Sequence, residues 1–339
     1  MFLTTFLVGQ WTHTPIPTAS FSGQTVIITG SNTGIGLSAA RYFALLGAAH
    51  IILGVRNTTA GEAAANAIRN APNTSSMPHL PDAVTCKVSV WELDLADYAS
   101  VIAFSERCDR ELERVDVLVE NAGVLANSFE MAEPWEGMRM ERCVAVNVVG
   151  TMLLAVLMLP VLRKGRTGGK GEAPRLCIVS SEVHELTELP QRKEEKILDA
   201  CNDEGRNEMG DRYNVTKLLQ VFLARALASR LPQNNSSSPT ITLNYLTPTL
   251  CHSDLGRDFG SLYAAFLWIF AKPTEEGGRA IVDAAAKGKG SHGEFLWCGR
   301  VRGPSQFVLS EEGKQTQERV FQEVMEVLEK VVPGISNNI

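Results

Sequence analysis

The chain has 339 residues, of which 45% are hydrophobic and 21% charged, a composition typical of globular proteins. Its formal net charge of −6 and its pI near 5.6 argue against a nucleic-acid-binding surface. Seven cysteines without a CxxC pair predict reduced thiols in a cytoplasmic protein. They favour neither a disulfide framework nor a zinc site.

Short β-branched runs predict strands, and apolar residues at helical spacing predict helices, in regular alternation from residue 25 onward. The predicted strands are 25–29, 50–55, 87–93, 115–119, 175–179, 241–245 and 292–298. The predicted helices are 34–47, 58–69 with Thr58 as N-cap, about 99–113, 137–163, 213–230, 259–271, 273–287 and a C-terminal helix with an apolar stripe from Val320 to Val331. This alternation predicts an α/β fold: a single-domain Rossmann fold with a doubly wound parallel sheet of about seven strands, covered on both faces.

No break in composition suggests a second domain. We interpret residues 1–20 as an N-terminal arm packed on the body, residues 21–310 as the main α/β domain, and residues 311–339 as a helix and tail packed on the same domain. The apolar runs at 1–9 and 262–271 are too short to span a bilayer, so we expect no stable membrane insertion. Contact of the arm with a membrane surface is the less favoured alternative.

A glycine-rich turn joins the first predicted strand to the first helix. Glycines let the backbone approach a phosphate, and a helix N-terminus favours the negative charge of that phosphate. The residues of this turn, all predicted to bind cofactor, are Gly30, Ser31, Asn32, Thr33, Gly34, Ile35 and Gly36. An ordinary helix start with incidental glycines is the alternative, which the strand before and the helix after disfavour.

In a doubly wound sheet, ligands bind at the carboxyl ends of the strands. Other distinctive residues also follow predicted strands: Arg56, Asp94, Asn121, Ala122, Gly123, Ser180, Ser181, Pro248 and Ser253. Arg56, with no acidic residue at 54–57, favours a ribose 2′-phosphate, and therefore NADP(H) over NAD(H), although NAD(H) is possible. Arg56 could also be a surface arginine that contacts nothing. Asp94 could accept from an adenine amino group or cap the next helix.

Tyr213 and Lys217 are four residues apart and therefore share one face of a predicted helix. A tyrosine with an ordinary pKa near 10 is a poor acid or base at neutral pH, and a neighbouring cation lowers that pKa by stabilising the phenolate. Such a pair is usually a solvated one. Here it follows a glycine turn and a strand that ends in Ser-Ser, which favours acid–base chemistry.

Together these motifs resemble the short-chain dehydrogenase/reductase family, over about Phe21 to Gly299. The resemblance implies four catalytic residues: Asn147, Ser181, Tyr213 and Lys217. Tyr213 would exchange a proton with a carbonyl oxygen while hydride passes to or from the nicotinamide, and Ser181 would hydrogen-bond the same oxygen. Lys217 would lower the tyrosine pKa and hold the nicotinamide ribose. The backbone of Asn147 would anchor a water that relays protons to Lys217, and Ser253 would contact the carboxamide.

Three departures from the family pattern stand out. Glu120 replaces the usual asparagine before Asn-Ala-Gly, and Thr249 replaces a glycine, which could reshape the nicotinamide loop. Tyr213 follows Ser181 by 32 positions, which implies an insertion at 182–210. This insertion is either a solvated excursion or a rim of the cleft. It resembles retinol-dehydrogenase-like and fungal members, many of which serve secondary-metabolite biosynthesis.

The predicted substrate loop, 250–272, is rich in apolar side chains. Its apolar members are Phe259, Leu262, Tyr263, Phe266, Leu267, Trp268 and Phe270. They predict a fairly large apolar ketone or alcohol as substrate, although the same run could pack on the core. A non-catalytic dinucleotide-binding redox sensor or scaffold is the main alternative function, and a sugar epimerase or dehydratase ranks last. A homo-oligomer is possible, and the spacing of His184, His252 and His292 predicts no metal site.

Overall fold

The structure is a computed structural model that describes residues 2–70, 85–164, 172–232, 240–256, 260 and 267–339. The strands in these residues are β1 (Thr25–Thr29), β2 (His50–Val55), β3 (Lys87–Glu92), β4 (Val117–Glu120), β5 (Met131–Trp135), β6 (Met138–Glu141), β7 (Arg175–Val179), β8 (Thr242–Thr247), β9 (Phe295–Trp297) and β10 (Arg300–Arg302). Eight of them form one sheet in the order β10-β9-β8-β7-β4-β1-β2-β3, parallel except for β10. The sheet therefore brings the carboxyl ends of its parallel strands to one edge.

Helices cover both faces of this sheet. They are α1 (Phe2–Trp11), α2 (Gly34–Leu45), α3 (Thr58–Arg69), α4 (Tyr98–Glu111), α5 (Arg142–Arg163), α6 (Ile197–Cys201), α7 (Met209–Arg230), α8 (Thr274–Ala286), α9 (Gln306–Leu309) and α10 (Glu311–Val331). One apolar cluster joins the sheet to α2, α3 and α8, and the other joins it to α4, α5, α7 and α10. The predicted α/β doubly wound fold is confirmed. By length and composition α5 could cross a membrane, and 89% of its apolar window is buried inside the protein.

The predicted helix at 137–163 begins too early. Residues 131–141 form the hairpin β5–β6, whose turn contains Gly137 in a left-handed conformation (φ 70). The Glu141 carboxylate then accepts from the backbone N–H groups of Cys143 (3.0 Å) and Val144 (3.1 Å). Because this cap satisfies two otherwise unpaired donors, α5 begins only at Arg142.

Two smaller predictions also need correction. Thr58 is the first residue of α3 and not its cap, because the side chain of Asn57 accepts from the Ala60 N–H (2.9 Å). The predicted last strand is in fact two strands, β9 and β10, which meet antiparallel. Cys298 (φ 47) and Gly299 (φ 76) make the turn between them, so the sheet has eight strands instead of about seven.

The insertion at 182–210 is not a solvated excursion. Its residues Leu189, Ile197 and Cys201 are fully buried in the core cluster. The buried Glu323 of α10 accepts from the backbone N–H groups of Ile197 (3.0 Å) and Leu198 (2.8 Å). The insertion is therefore packed against the C-terminal helix.

The N-terminal arm contacts both ends of the predicted substrate loop. Gln10 Nε2 donates to the carbonyl oxygens of Leu250 (3.1 Å) and Phe270 (3.0 Å). His13 Nδ1 lies 2.6 Å from the Glu276 carboxylate at the start of α8. The arm therefore joins the two ends of this loop to the body.

Candidate active site

A network of hydrogen bonds joins the ends of β1 and β4. Thr29 Oγ1 accepts from the backbone N–H groups of Asn121 (3.0 Å) and Ala122 (2.9 Å). In return, Asn121 Nδ2 donates to the carbonyl oxygens of Thr29 (2.9 Å) and Gly30 (3.1 Å). The glycine turn and the Asn-Ala-Gly segment are thereby held as one unit.

The turn has no room for side chains at two of its glycines. A Cβ on Gly30, whose φ is 62, would lie 2.9 Å from the Ala122 Cα. A Cβ on Gly36 would lie 2.5 Å from Asn121 Nδ2. The backbone can therefore approach closely here, as a bound pyrophosphate would require.

The donors and acceptors at this turn fit a dinucleotide. The first N–H groups of α2 have no acceptor inside the helix, and they favour an anion. Asn121 Oδ1 is buried and has no hydrogen-bond partner among the described residues, so it could accept from a ligand hydroxyl or amino group. Ser31 Oγ is instead used within the turn, because it donates to the Ile28 carbonyl (2.8 Å).

The other predicted cofactor contacts lie along the same edge. A Cβ on Gly34 would lie 3.7 Å from the Ser253 Cβ, so the loop after β8 reaches the glycine turn. Arg56 follows β2, is exposed, and has no hydrogen-bond or ion-pair partner within the described ranges. The Asp94 carboxylate accepts from the Ala96 N–H (2.9 Å), while Asp97 caps α4. The alternative that Asp94 caps the next helix is therefore wrong, because Asp97, three residues later, is the cap.

Lys217 is buried at the end of β7. Helix α7 begins at Met209, earlier than predicted, so Tyr213 and Lys217 both lie inside it. Lys217 Nζ donates to the Val179 carbonyl (2.9 Å) and lies 5.5 Å from the centre of the Tyr213 ring. Burial lowers the pKa of Lys217 to about 7. A buried amine beside a phenol is the arrangement that acid–base chemistry by Tyr213 requires.

Ser181 lies between the end of β7 and the start of the insertion. Its Oγ accepts from the Val183 N–H (3.3 Å), which leaves the hydroxyl proton to be donated. The neighbouring Glu182 is buried and accepts from Trp297 Nε1 (3.2 Å). Burial raises the pKa of Glu182 to about 7. The sequence analysis missed Glu182, although its position directly after Ser181 was a signal.

Asn147 lies in a π-helical turn of α5, Ala145–Gly150. Its side chain accepts from the Val124 N–H (2.8 Å) and donates to the Val124 carbonyl (2.8 Å), which fixes the segment after Asn-Ala-Gly. The Asn147 backbone oxygen accepts from Gln220 Nε2 (2.7 Å), and Gln220 Oε1 accepts from Lys217 Nζ (2.9 Å). Gln220, which the sequence analysis missed, thus makes both hydrogen bonds that the family resemblance assigned to a water.

A buried ion pair supports the first turn of α7, and sequence reasoning missed it as well. The fully buried Arg212 precedes Tyr213 and lies with Nε 3.4 Å from the Glu141 carboxylate. Its Nη2 donates to the Cys201 carbonyl (2.6 Å). Arg212 therefore links α7 to the insertion and to the start of α5. Its only sequence signal was a charge beside Tyr213, the tyrosine predicted to be catalytic.

The predicted apolar wall is only partly described. Phe259, Leu262, Tyr263 and Phe266 lie outside the described residues. Of the others, Trp268 is 81% exposed and does not pack on the core, whereas Leu267 and Phe270 are half-buried.

The histidines of the site region have structural partners. His184 Nε2 accepts from the Ser305 N–H (3.1 Å), and His292 Nδ1 accepts from the Leu243 N–H (3.1 Å). Their ring nitrogens therefore join backbone segments.

Thr249 lies in a backbone conformation that favours glycine. Its φ is 61, in the left-handed region. Its N–H donates to Thr247 Oγ1 (3.1 Å), and its hydroxyl donates to the Pro248 carbonyl (2.6 Å). Thr249 therefore adopts a conformation that strains its Cβ. That the replacement reshapes the nicotinamide loop stays a prediction.

We expect Thr249→Gly to be more stable than Thr249→Ala by about 1 kcal/mol, because only glycine removes the left-handed strain. Both variants lose the hydroxyl, so their difference isolates the Cβ. Urea unfolding of the two variants measures it. An alanine variant as stable as the glycine variant would show that the strain is absent.

The comparisons with known proteins agree with this geometry. A family model described as short chain dehydrogenase matches residues 24–183. A short chain dehydrogenase/reductase of Cryptosporiopsis sp. (strain 8999) is 38% identical, over 98% of this chain and 99% of its own length. A short-chain dehydrogenase of Penicillium roqueforti (strain FM164) is 36% identical, over 97% of this chain and 84% of its own.

Among solved structures, an uncharacterized protein from Mycobacterium paratuberculosis shares the fold. Its TM-score is 0.65 at 24% identity, and the match covers 92% of this chain and 95% of the other. The glycine turn, the Tyr-x-x-x-Lys pair and the fungal relatives all lead to one conclusion. The chain belongs to the short-chain dehydrogenase/reductase family.

Proposed function

We propose that this protein is an NADP(H)-dependent oxidoreductase that transfers hydride between the nicotinamide and an apolar ketone or secondary alcohol. The observation that carries the proposal is the buried Lys217 ammonium held 5.5 Å from the Tyr213 ring, at the strand edge where the glycine turn also lies. Family membership supports the oxidoreductase class. The cofactor preference, the substrate and the residue roles are our inference.

The bound nicotinamide would supply the hydride chemistry, and the residues of the chain would supply orientation and the proton. Tyr213 would donate its hydroxyl proton to the carbonyl oxygen during reduction or remove the alcohol proton during oxidation. Ser181, with its hydroxyl proton free, would hydrogen-bond the same oxygen. Lys217 would stabilise the phenolate form, because a nearby cation lowers a tyrosine pKa.

The cofactor would lie along the strand edge. The glycine turn, Asn121 and Gly123 would hold the dinucleotide, with Pro248 and Ser253 near the nicotinamide. The preference for an apolar substrate follows from the sequence of the 250–272 loop. A tailoring step in secondary-metabolite biosynthesis, a cytoplasmic location and a homo-oligomer remain predictions from the sequence.

We expect Arg56→Ala to weaken NADPH binding by about 10- to 100-fold and to leave NADH binding nearly unchanged. The reason is that a hydrogen bond to a charged group contributes about 1.5–3 kcal/mol, and only NADPH carries the 2′-phosphate. Titration of the purified protein with each reduced cofactor, followed by cofactor fluorescence, measures both dissociation constants.

Arg110→Ala is the matched control. Arg110 is an exposed arginine near the carboxyl end of α4, and α4 leads to the amino end of β4. Arg110 therefore lies towards the edge of the sheet opposite the proposed cofactor site. Equal losses for NADPH and NADH in Arg56→Ala would contradict the NADP(H) assignment. Turnover is then tested with a panel of apolar ketones. Cofactor binding without any turnover would favour the non-catalytic sensor.

A further inference from the structure

A buried amide connects Lys217 to α5. Lys217 Nζ donates to Gln220 Oε1 (2.9 Å), and Gln220 Nε2 donates to the Asn147 backbone oxygen (2.7 Å). Gln220 is 3% exposed, and a cavity of about 10 Å³, roughly the size of one water, adjoins it. The three groups form a continuous line from the π-helical turn to the lysine.

The direction of these hydrogen bonds is fixed by the partners. An ammonium can only donate and a backbone carbonyl can only accept. Gln220 must therefore turn its oxygen towards Lys217 and its NH₂ group towards Asn147. No other orientation of the amide satisfies both neighbours.

The π-helical turn is what makes the Asn147 oxygen available. In a regular α-helix that oxygen would accept from the N–H of Thr151, four residues later. Here the Thr151 N–H is bonded to the carbonyl oxygens of Val146 and Val148. The Asn147 carbonyl can therefore point at Gln220.

The Gln220 amide accepts from one of the three N–H donors of Lys217 and thereby limits how the ammonium can be oriented. An ammonium has three N–H donors. One is committed to the Val179 carbonyl and a second to Gln220. The third N–H has no acceptor among the described residues and is left for Tyr213, whose ring centre lies 5.5 Å from Nζ, or for a ligand. Without Gln220, the Val179 carbonyl would be the one hydrogen-bond acceptor of Lys217 in the described part of the chain, and the side chain could rotate away from Tyr213.

We propose that Gln220 is a positioning residue that aims Lys217 at Tyr213, and that in this chain an amide joins Asn147 to Lys217. An amide N–H does not give up its proton in the pH range of enzymes, so a proton cannot pass through Gln220. A proton lost from Tyr213 to the substrate is therefore replaced by one from solvent water, which reaches the half-buried Tyr213. This inference rests on the proposed function.

The charged surroundings of Lys217 are simple. Tyr213 lies on the same helix, and the buried carboxyl groups of Glu120 and Glu182 stand at the ends of β4 and β7. Burial raises the pKa of both carboxyl groups, that of Glu182 to about 7, and burial is also the cause that lowers the pKa of Lys217. A substitution of Gln220 should therefore change the pKa of Lys217 directly.

Two replacements of Gln220 should move the pKa of Lys217 in opposite directions. Gln220→Met removes the acceptor while keeping the size, and we expect the pKa to fall by about one unit. Gln220→Glu places a carboxylate against the ammonium, and we expect it to rise by about one unit. NMR of protein labelled with ¹³C at the lysine Cε measures the pKa without cofactor, and the signal missing from Lys217→Met assigns it.

A buried glutamine elsewhere serves as the control. Gln191→Met changes a glutamine in the insertion and should leave the Lys217 titration unaltered. If both Gln220 variants shift the pKa in the same direction, or if Gln220→Met does not shift it, the inference is wrong. Circular dichroism melting verifies that each variant is folded.

The pH profile of kcat gives a second readout. For alcohol oxidation we expect Gln220→Met to move the profile to higher pH and to lower kcat at pH 7 by about fivefold, because a smaller fraction of Lys217 is charged. Expected NMR shifts in a protein that turns over no substrate would support the positioning of Lys217 and count against the proposed function. A kcat profile unmoved by Gln220→Met would count against the positioning alone.

Discussion

Tyr213→Phe is expected to lower kcat by about 10²- to 10⁴-fold while leaving the dissociation constant of NADPH within about twofold. General acid–base catalysis contributes about this much, and the change removes only the hydroxyl that would exchange the proton. The ring still packs beside Lys217 Nζ, 5.5 Å from its centre. Initial rates with the best ketone of the panel, together with cofactor fluorescence, measure both quantities.

Tyr42→Phe is the matched control. Tyr42 is a buried tyrosine on α2, and its hydroxyl accepts from Arg279 Nε (2.8 Å). Loss of that hydrogen bond should cost about 1 kcal/mol of stability and leave kcat unchanged. If Tyr213→Phe retains more than a tenth of the activity, another group supplies the proton and the proposed mechanism fails.

Local signals in the sequence located most of the candidate site. The glycine turn, Asn121 to Gly123, and the Tyr213–Lys217 pair depend on neighbours a few residues apart, so each motif carries its own structure. The parallel sheet then brings the strand ends together without further information. For these residues the pattern and the topology were sufficient.

Long-range packing explains what the sequence analysis missed. Gln220 matters because a π-helical turn some 70 residues earlier presents the Asn147 carbonyl, and no local pattern in the sequence marks that turn. The hairpin at 131–141 was hidden because an apolar stretch follows it and its own strands are half exposed. The sequence left open whether the charged insertion is solvated, because its few apolar residues, such as Ile197, lie among acidic and basic residues.

Glu120 is the departure from the family pattern with the clearest energetic consequence. It is 2% exposed, and neither carboxyl oxygen has a hydrogen-bond partner in the described part of the chain. Its strand neighbour on β7 is the apolar Ile178. Burial raises the pKa of this carboxyl well above its ordinary value, so the folded protein holds it protonated.

The sign of the pH effect follows from this raised pKa. Below the pKa of the unfolded chain, near 4.3, both states bind the proton and stability is unaffected. Above it the unfolded chain releases the proton while the folded protein keeps it. Stability is then lost as the pH rises towards the folded pKa, by about 1.4 kcal/mol per pH unit.

We therefore expect Glu120→Gln to become more stable than the wild type as the pH rises above the pKa of the unfolded carboxyl, because the amide has nearly the same size and does not titrate. Urea unfolding at half-unit pH steps measures the difference. The buried Glu182 and His184 also titrate differently in the folded and unfolded states. Both residues are present in the variant and in the wild type, so their contributions cancel in the difference. The exposed Glu136→Gln is the control and should show no pH-dependent gain. A difference in free energy of unfolding between Glu120→Gln and wild type that does not change with pH would contradict this prediction. It would mean that Glu120 is ionised in the folded protein and that its pKa is not raised by burial.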